Sequence, residues 1–373
     1  MLIQRDLEKK IVGSFDKGKI VVVYGPRQSG KTTLVKMILS SHSQNSIYLN
    51  CDEIDVRQNL TDKTSTELKA YLLGRKMVVI DEAQRVENIG LMLKLIADNL
   101  PDVQVIATGS SSFELSDKIK EPLTGRKIEF HLYPLSVNEL SATYGKIETA
   151  RLLERRIIYG MYPEVVLKES PVLLAQLADS YLYKDVLAYQ NIKRHDILLK
   201  LLQALALQIG SEVSYNELSN MVGIDKKTVE SYLNILEQSF VIFRLMPFSR
   251  NLRNELKKLR KIYFYDTGIR NALVNNLNPL NLRNDAGALF ENFMISERVK
   301  FNANFNKRKN IYFWRTHQQK EIDYIEEGEG KLEAYEFKLS AKTYKTPKEF
   351  LEAYPESTCK LINRENFMDF LTP

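Results

Sequence analysis

The sequence predicts a mixed α/β chain: a parallel sheet in the N-terminal third, a helical middle and an α+β C-terminal part. Three observations lead there. The β-branched runs "KIVVVY" and "MVVI" each end in polar, chemistry-bearing residues, and helical spacing follows the first. From 171 to 210 apolar positions recur three and four apart, as an amphipathic helix requires. Past residue 310 the apolar residues alternate in short segments such as "EIDYI" and "KLEAYEFKLS", the period of a strand.

Composition sets the outer bounds. The 373 residues, 44% apolar and 27% charged, suit a globular chain with room for about two to three domains. No run of roughly 18 apolar residues occurs, so no membrane span is expected. The opening "MLIQRDLEKK" lacks the apolar core of a secretory signal. Cys51 and Cys359 are the only cysteines and stand far apart, which argues against a disulfide framework or zinc ribbon and for the reducing cytoplasm. His42, His131, His195 and His317 are scattered, with no ligand spacing. The net charge of +6 is mild, and its densest source is "RLMPFSRNLRNELKKLRK", 244–261, with seven Lys/Arg against one Glu.

The strand from Lys19 to Tyr24 runs into "GPRQSGKT", which matches G-x-x-x-x-G-K-[ST] over Gly25, Pro26, Arg27, Gln28, Ser29, Gly30, Lys31 and Thr32. Leu34, Met37 and Ile38 then recur at helical spacing. Strand, loop and helix in that order are the context a phosphate loop needs. Gly25 and Gly30 let the backbone wrap an anion, so that its N–H groups and the helix N-terminus meet phosphate oxygens. Lys31 brings a cation to the β/γ-phosphates, and the Thr32 hydroxyl can ligate Mg²⁺. The expected ligands are ATP and Mg²⁺.

The second strand, Met77 to Ile80, ends at Asp81, on the carboxyl edge where open α/β sheets bind ligands. Asp81 is expected to hold Mg²⁺ through water, and Glu82 to polarise the attacking water. A third strand, "VQVIATGSSS", ends in hydroxyls, of which Ser110 or Ser111 is placed to sense the γ-phosphate. Arg126, at the mouth of the strand "KIEFHL", is expected either to meet a phosphate, in its own subunit or a neighbour's, or to form a structural ion pair. Pro163, in the turn "YGMYPEVV", either packs on the adenine or simply breaks a helix.

After two helical segments, Tyr215 to Met221 and Lys226 to Gln238 flank the tight turn "VGID", and "FVIFRLMPF" reads as a strand entering a wing. Val229, Leu233 and Leu236 are expected inward. In a DNA-binding unit of this grammar Lys226, Lys227, Thr228, Ser231 and Tyr232 would face the major groove, with the basic stretch from Arg244 along phosphates. Such units also serve as protein contacts or spacers.

Near the end, Glu336 and Lys338 are neighbours on a strand face that is otherwise apolar, and Asp323 lies on the preceding strand. Glu291, on the amphipathic segment "GALFENFMISERVK", can add a third carboxylate. Carboxylates on adjacent strands can chelate Mg²⁺ while a lysine orients or deprotonates water for attack on a phosphodiester. The order Glu…Asp…Glu-x-Lys is that of the restriction-endonuclease-like, PD-(D/E)xK fold. A decorative hairpin or an inactive copy of that fold are the competing readings.

Asp and Glu in tandem, with an additional polar-tipped strand, resemble the additional-strand, catalytic-glutamate division of P-loop ATPases, which includes the AAA type. The whole chain resembles a bacterial and archaeal group of AAA-type ATPases that join a P-loop core to a C-terminal domain of unknown function with winged-helix and restriction-endonuclease-like parts. The resemblance is carried in order by "GPRQSGKTTL", "VVIDEAQ", "TGSSS", "LTGRKIEFHLYPLSVNEL", "GMYPEVV", "IYFYDTGIRNAL", "GALFENFMISE", "WRTHQQKEIDYI" and "YEFKLS". It implies ATP binding over Gly25 to Thr33, with Asp81 and Glu82 as metal and water residues. It also implies that Glu291, Asp323, Glu336 and Lys338 occupy nuclease-fold positions, although Ile322 stands where the signature has proline. The expected layout is a P-loop core over 1–135, a helical lid over 136–175, a winged-helix region over 176–275 and the nuclease-like domain over 276–373. The expected function is Mg²⁺-dependent ATP hydrolysis coupled to double-stranded DNA or a protein partner, with a homo-oligomer among the expected assemblies. The alternatives are a slow nucleotide-dependent switch or scaffold, and an ATP-regulated metal-dependent DNA nuclease.

Overall fold

The computed structural model describes residues 2–42, 45–72, 74–109, 115, 118–168, 170–181, 194–248, 260–316 and 318–373. They form two compact units, 2–134 with 238–240, and 135–237 with 241–373.

The first unit is built on a five-stranded parallel sheet of β1 (Ile20–Tyr24), β2 (Ser46–Asn50), β3 (Met77–Asp81), β4 (Gln104–Gly109) and β5 (Lys127–His131), in the order β2-β3-β4-β1-β5. All five residues of β1 and of β3 are buried, as an unbroken β-branched run demands when both sheet faces are covered. The helix Lys31–Ser41 presents Leu34, Val35 and Ile38 to Val21, Val23, Val79 and Ile106, joined by Leu7 and Ile11 of the helix Asp6–Val12. Each such aliphatic side chain contributes about 1.5–3 kcal/mol on full burial. The functional consequence lies in the order: β4 is inserted between β1 and β3, so its polar tip stands between the phosphate loop and Asp81.

The second unit packs the helices His195–Leu207, Tyr215–Val222 and Lys226–Gln238 around an apolar core with the short strand β6 (Glu212–Val213), β7 (Ile242–Pro247) and β8 (Arg260–Phe264). The long helix Ala286–Asn304 and the strands β9 (Asn310–Arg315), β10 (Glu321–Gly328), β11 (Lys331–Phe337) and β12 (Thr358–Ile362) follow. One seven-stranded sheet, β12-β11-β10-β9-β7-β8-β6, runs through both sets of strands. The bridge is a parallel pairing of β7 with β9, Met246 opposite Tyr312 and Pro247 opposite Phe313. The seven-stranded sheet continues across the expected boundary at 275/276, within the compact unit of 135–237 and 241–373.

A second difference concerns the helix Lys226–Gln238. Tyr232 is buried in the core with Val229, Leu233 and Leu236, so it does not face outward with Lys226, Lys227 and Ser231. The spacing i, i+3, i+4, i+7 from Val229 accounts for it: Tyr232 is the i+3 member of the buried face, which Ile235 widens.

Among the described residues no helix is long and apolar enough to cross a membrane.

Candidate functional site

The phosphate loop leaves the carboxyl edge of the sheet directly after Tyr24. A Cβ on Gly25 would meet the Leu132 carbonyl oxygen at 2.1 Å, so only glycine lets the loop pass that strand. Gln28 (φ +59°) and Gly30 (φ +96°) take positive φ, which folds the loop back on itself before the helix begins at Lys31. Lys31 is only 5% exposed, and its Nζ donates to the Gly25 carbonyl at 2.8 Å and the Pro26 carbonyl at 2.9 Å. The ammonium is thus stretched across the mouth of the loop.

Asp81, 3% exposed, collects three hydroxyl donors. Its Oδ2 accepts from Thr32 Oγ1 at 2.7 Å and from Tyr48 OH at 2.5 Å, and its Oδ1 accepts a short bond from Thr108 Oγ1. Burial, the Asp81 bond and the Asp81 charge push the Tyr48 phenol well above its usual range, so it stays a donor. Glu82 is held in the left-handed region at φ +53°, a conformation that costs a non-glycine residue roughly 1–2 kcal/mol. Its N–H donates to Thr108 Oγ1 at 3.2 Å, and its carboxylate accepts from Gln84 Nε2 at 2.6 Å.

This arrangement fits Mg²⁺–ATP. Thr32 and Asp81 offer adjacent hard oxygens at the end of the loop. Among the described residues the buried Ser29 Oγ has no hydrogen-bond partner, a polar atom left over inside the loop. Tyr48, Thr108 and Gln84 are functional candidates that no sequence motif marks.

The remaining expected residues fall as follows. Ser110 and Ser111 lie outside the described residues. Thr33 sits in the first turn of the helix Lys31–Ser41. Arg126 precedes β5 at the amino edge of the sheet, where its carbonyl accepts from Ile20 N–H; the loop leaves from the other end of β1, roughly 17 Å away at about 3.3 Å per residue. Its guanidinium bonds Asp98 at 2.6 Å. The expectation of a phosphate contact within the same subunit is thereby corrected in favour of the ion pair. Pro163 opens the helix Pro163–Lys168 in the second unit, its fixed φ suiting a first helical position.

In the second unit Tyr324 of β10 pairs with Tyr335 of β11, which sets Asp323 opposite Glu336. Asp323 accepts the Phe337 N–H at 2.9 Å. Burial, then the charges of Glu291 and Glu336, push the Asp323 carboxyl well above the usual carboxylate range. Burial also raises Glu336, in part offset by Lys338, whose ammonium lies 2.8 Å from it. The four expected residues thus sense one another, yet no group of three His, Cys, Asp or Glu among the described residues could hold a metal ion. The expectation of Glu291, Asp323 and Glu336 as a formed metal site is corrected. The reason is Lys261 of β8, 2% exposed, which binds Glu291 at 3.2 Å and pairs closely with Glu321. Burial alone would lower its ammonium, but Glu291, Glu321 and Asp323 more than offset that and hold it raised. Tyr263 OH donates to Glu291 at 2.5 Å as well, so Glu291 is committed to the wall of the site rather than its centre.

Residues 17–141 match the AAA domain family, 150–283 a domain of unknown function (DUF8612), and 286–368 a further domain of unknown function (DUF4143). The chain is 26% identical over 356 residues to an uncharacterized protein of Methanocaldococcus jannaschii, covering 88% of this chain and 76% of that protein. It is 25% identical over 298 residues to an uncharacterized protein of Haemophilus influenzae, covering 72% of this chain and 73% of that one. Among solved structures, the fold is similar to that of a Walker-type ATPase of Pyrococcus abyssi, with a TM-score of 0.51 at 16% identity, covering 73% of this chain and 96% of the other.

Proposed function

We propose, for a chain that carries an AAA domain and a C-terminal DUF4143 domain, that it is an Mg²⁺-dependent ATPase whose nucleotide state governs binding of double-stranded DNA or a protein partner. One observation carries the reading: Thr32, Asp81, Thr108 and Glu82 form a continuous hydrogen-bonded chain beside the phosphate loop. When bound, Mg²⁺–ATP supplies the phosphoryl group and the cation that neutralises it. The loop Gly25–Gly30 holds phosphate oxygens through its N–H groups, and Lys31 exchanges its loop carbonyls for phosphate. Thr32 and Asp81 would hold the cation. Glu82 orients the attacking water and accepts its proton, with Thr108 fixing the two acidic residues relative to each other.

The partner side of the reading rests on chain order. Helix, short strand, two helices across a tight turn and an antiparallel strand pair, β7 with β8, form the grammar of a winged helix. Lys226, Lys227 and Ser231 are exposed on its second helix. Asp225 caps that helix by accepting from the N–H groups of Lys227 at 2.9 Å and Thr228 at 3.0 Å, so it competes with phosphate at the helix start.

The test is ATP turnover with Mg²⁺, with and without double-stranded DNA, across a salt series, for the wild type and Lys226→Ala/Lys227→Ala. Stimulation whose half-maximal DNA concentration rises with salt, with a log–log slope shallower by about two in the double variant, supports DNA as partner. Turnover indifferent to DNA turns the reading to a protein partner, and no turnover together with no nucleotide binding removes it.

A further inference from the structure

We infer that Arg5 is a positioning residue of the phosphate loop, acting from outside the motif; this rests on the reading of that loop as the nucleotide site. Arg5 stands twenty residues before Gly25 in sequence, at the start of the helix Asp6–Val12. Leu7 and Ile11 anchor that helix against Leu34, Val35 and Ile38 of the helix that follows the loop. The guanidinium is 6% exposed and spans two backbone carbonyls, with Nη1 donating to Ser29 O and Nη2 to Tyr133 O, both at 2.6 Å.

The consequence follows from peptide planarity. In a trans peptide the carbonyl and the following N–H point in opposite directions. Holding the Ser29 carbonyl toward Arg5 turns the Gly30 N–H to the other side of the loop. That peptide would otherwise rotate about ψ of Ser29 and φ of Gly30, and Gly30, at φ +96°, resists such rotation least. The second bond fixes the frame. Tyr133 follows Leu132, whose N–H donates to Tyr24 O at 2.7 Å and whose carbonyl abuts Gly25. Arg5 thereby ties the far end of the loop to the strand that lines its beginning. A planar fork presents its two donors from separate nitrogens at a fixed spacing, whereas a lysine at this position would offer its donors from a single nitrogen.

The test compares wild type, Arg5→Lys and Arg5→Ala by calorimetric titration with Mg²⁺–ATP and Mg²⁺–ADP, at a temperature where circular dichroism shows each protein folded. Loss of a charge-assisted bond that orients a phosphate donor is expected to raise both Kd values about ten- to a hundredfold in Arg5→Ala. Arg5→Lys is expected to regain thermal stability while keeping a raised Kd. Wild type that binds nucleotide, with Arg5→Lys of equal affinity, overturns the inference and leaves the nucleotide reading standing. Wild type that binds neither nucleotide overturns both. Should Arg5→Ala fail to fold, Arg5→Lys alone decides.

Discussion

Thr108 donates its hydroxyl to Asp81 and accepts the backbone N–H of Glu82, so one buried side chain sets the spacing between the two acidic residues on which the proposed mechanism rests. Thr108→Val keeps the shape and removes both bonds. We expect kcat for ATP to fall about ten- to a hundredfold, the equivalent of roughly 1.5–3 kcal/mol for bonds involving a charged group, with KM changing little. Steady-state kinetics check this, and an unchanged kcat would take Thr108 out of the mechanism.

Lys31→Ala removes the cation across the mouth of the loop and is expected to abolish ATP binding in a calorimetric titration. Glu82→Gln keeps the size and the contact with Gln84 but removes the base, so binding persists and turnover is lost. ATP affinity like that of the wild type in the first variant, or full turnover in the second, sinks the corresponding role.

The raised carboxyl of Asp323 makes a pH prediction. A group whose folded pKa lies above its unfolded value binds its proton more tightly in the folded state. Its stabilising contribution is complete below the unfolded value of about 3.9 and is lost as pH rises through the folded one. Asp323→Asn has no proton to lose. Its melting temperature is expected to exceed that of the wild type at pH 7, with the gap closing as pH falls toward 4. Thermal melts across that range decide, and a gap that widens toward low pH would mean the carboxylate, not the acid, is the favoured form.

Gly160 is predicted to resist substitution. It sits at φ +79°, and a Cβ there would lie 2.0 Å from Asp266 Oδ1. Asp266 cannot retreat without releasing the N–H groups of Met161 at 2.7 Å and Ile269 at 3.1 Å. Strain and overlap together are expected to destabilise Gly160→Ala by about 2–4 kcal/mol, a fall in melting temperature of roughly 5–15 °C. A shift under about 2 °C would mean that Asp266 moves freely.

The nucleotide site was legible where chemistry repeats a spacing. Gly25, Gly30, Lys31 and Thr32 are fixed to one another by the loop, and Asp81 with Glu82 ends a strand too apolar to be anything but buried. What escaped notice comes from other strands. Tyr48 reaches Asp81 from β2, a half-buried strand with no signature, and the register of β4 on β3 sets Thr108 beside Asp81. Lys261 is the instructive case. In sequence it ends a basic run suited to phosphates, whereas the fold buries it against Glu291 and Glu321. Charge density says where cations are plentiful; it does not say which of them the sheet turns inward.

The parallel pairing of β7 with β9 is short, yet it decides how this chain can be inherited. Were the C-terminal strands a detachable cassette, recombination could exchange them freely between relatives. Cutting between 264 and 310 instead leaves two bare sheet edges, each with main-chain groups ready to pair with any extended stranger. Phe248, whose N–H donates to Phe313 O at 2.6 Å, would lose its place in the same stroke. A fragment beginning near residue 276 is therefore expected to expose the edge of β9 and to aggregate rather than fold.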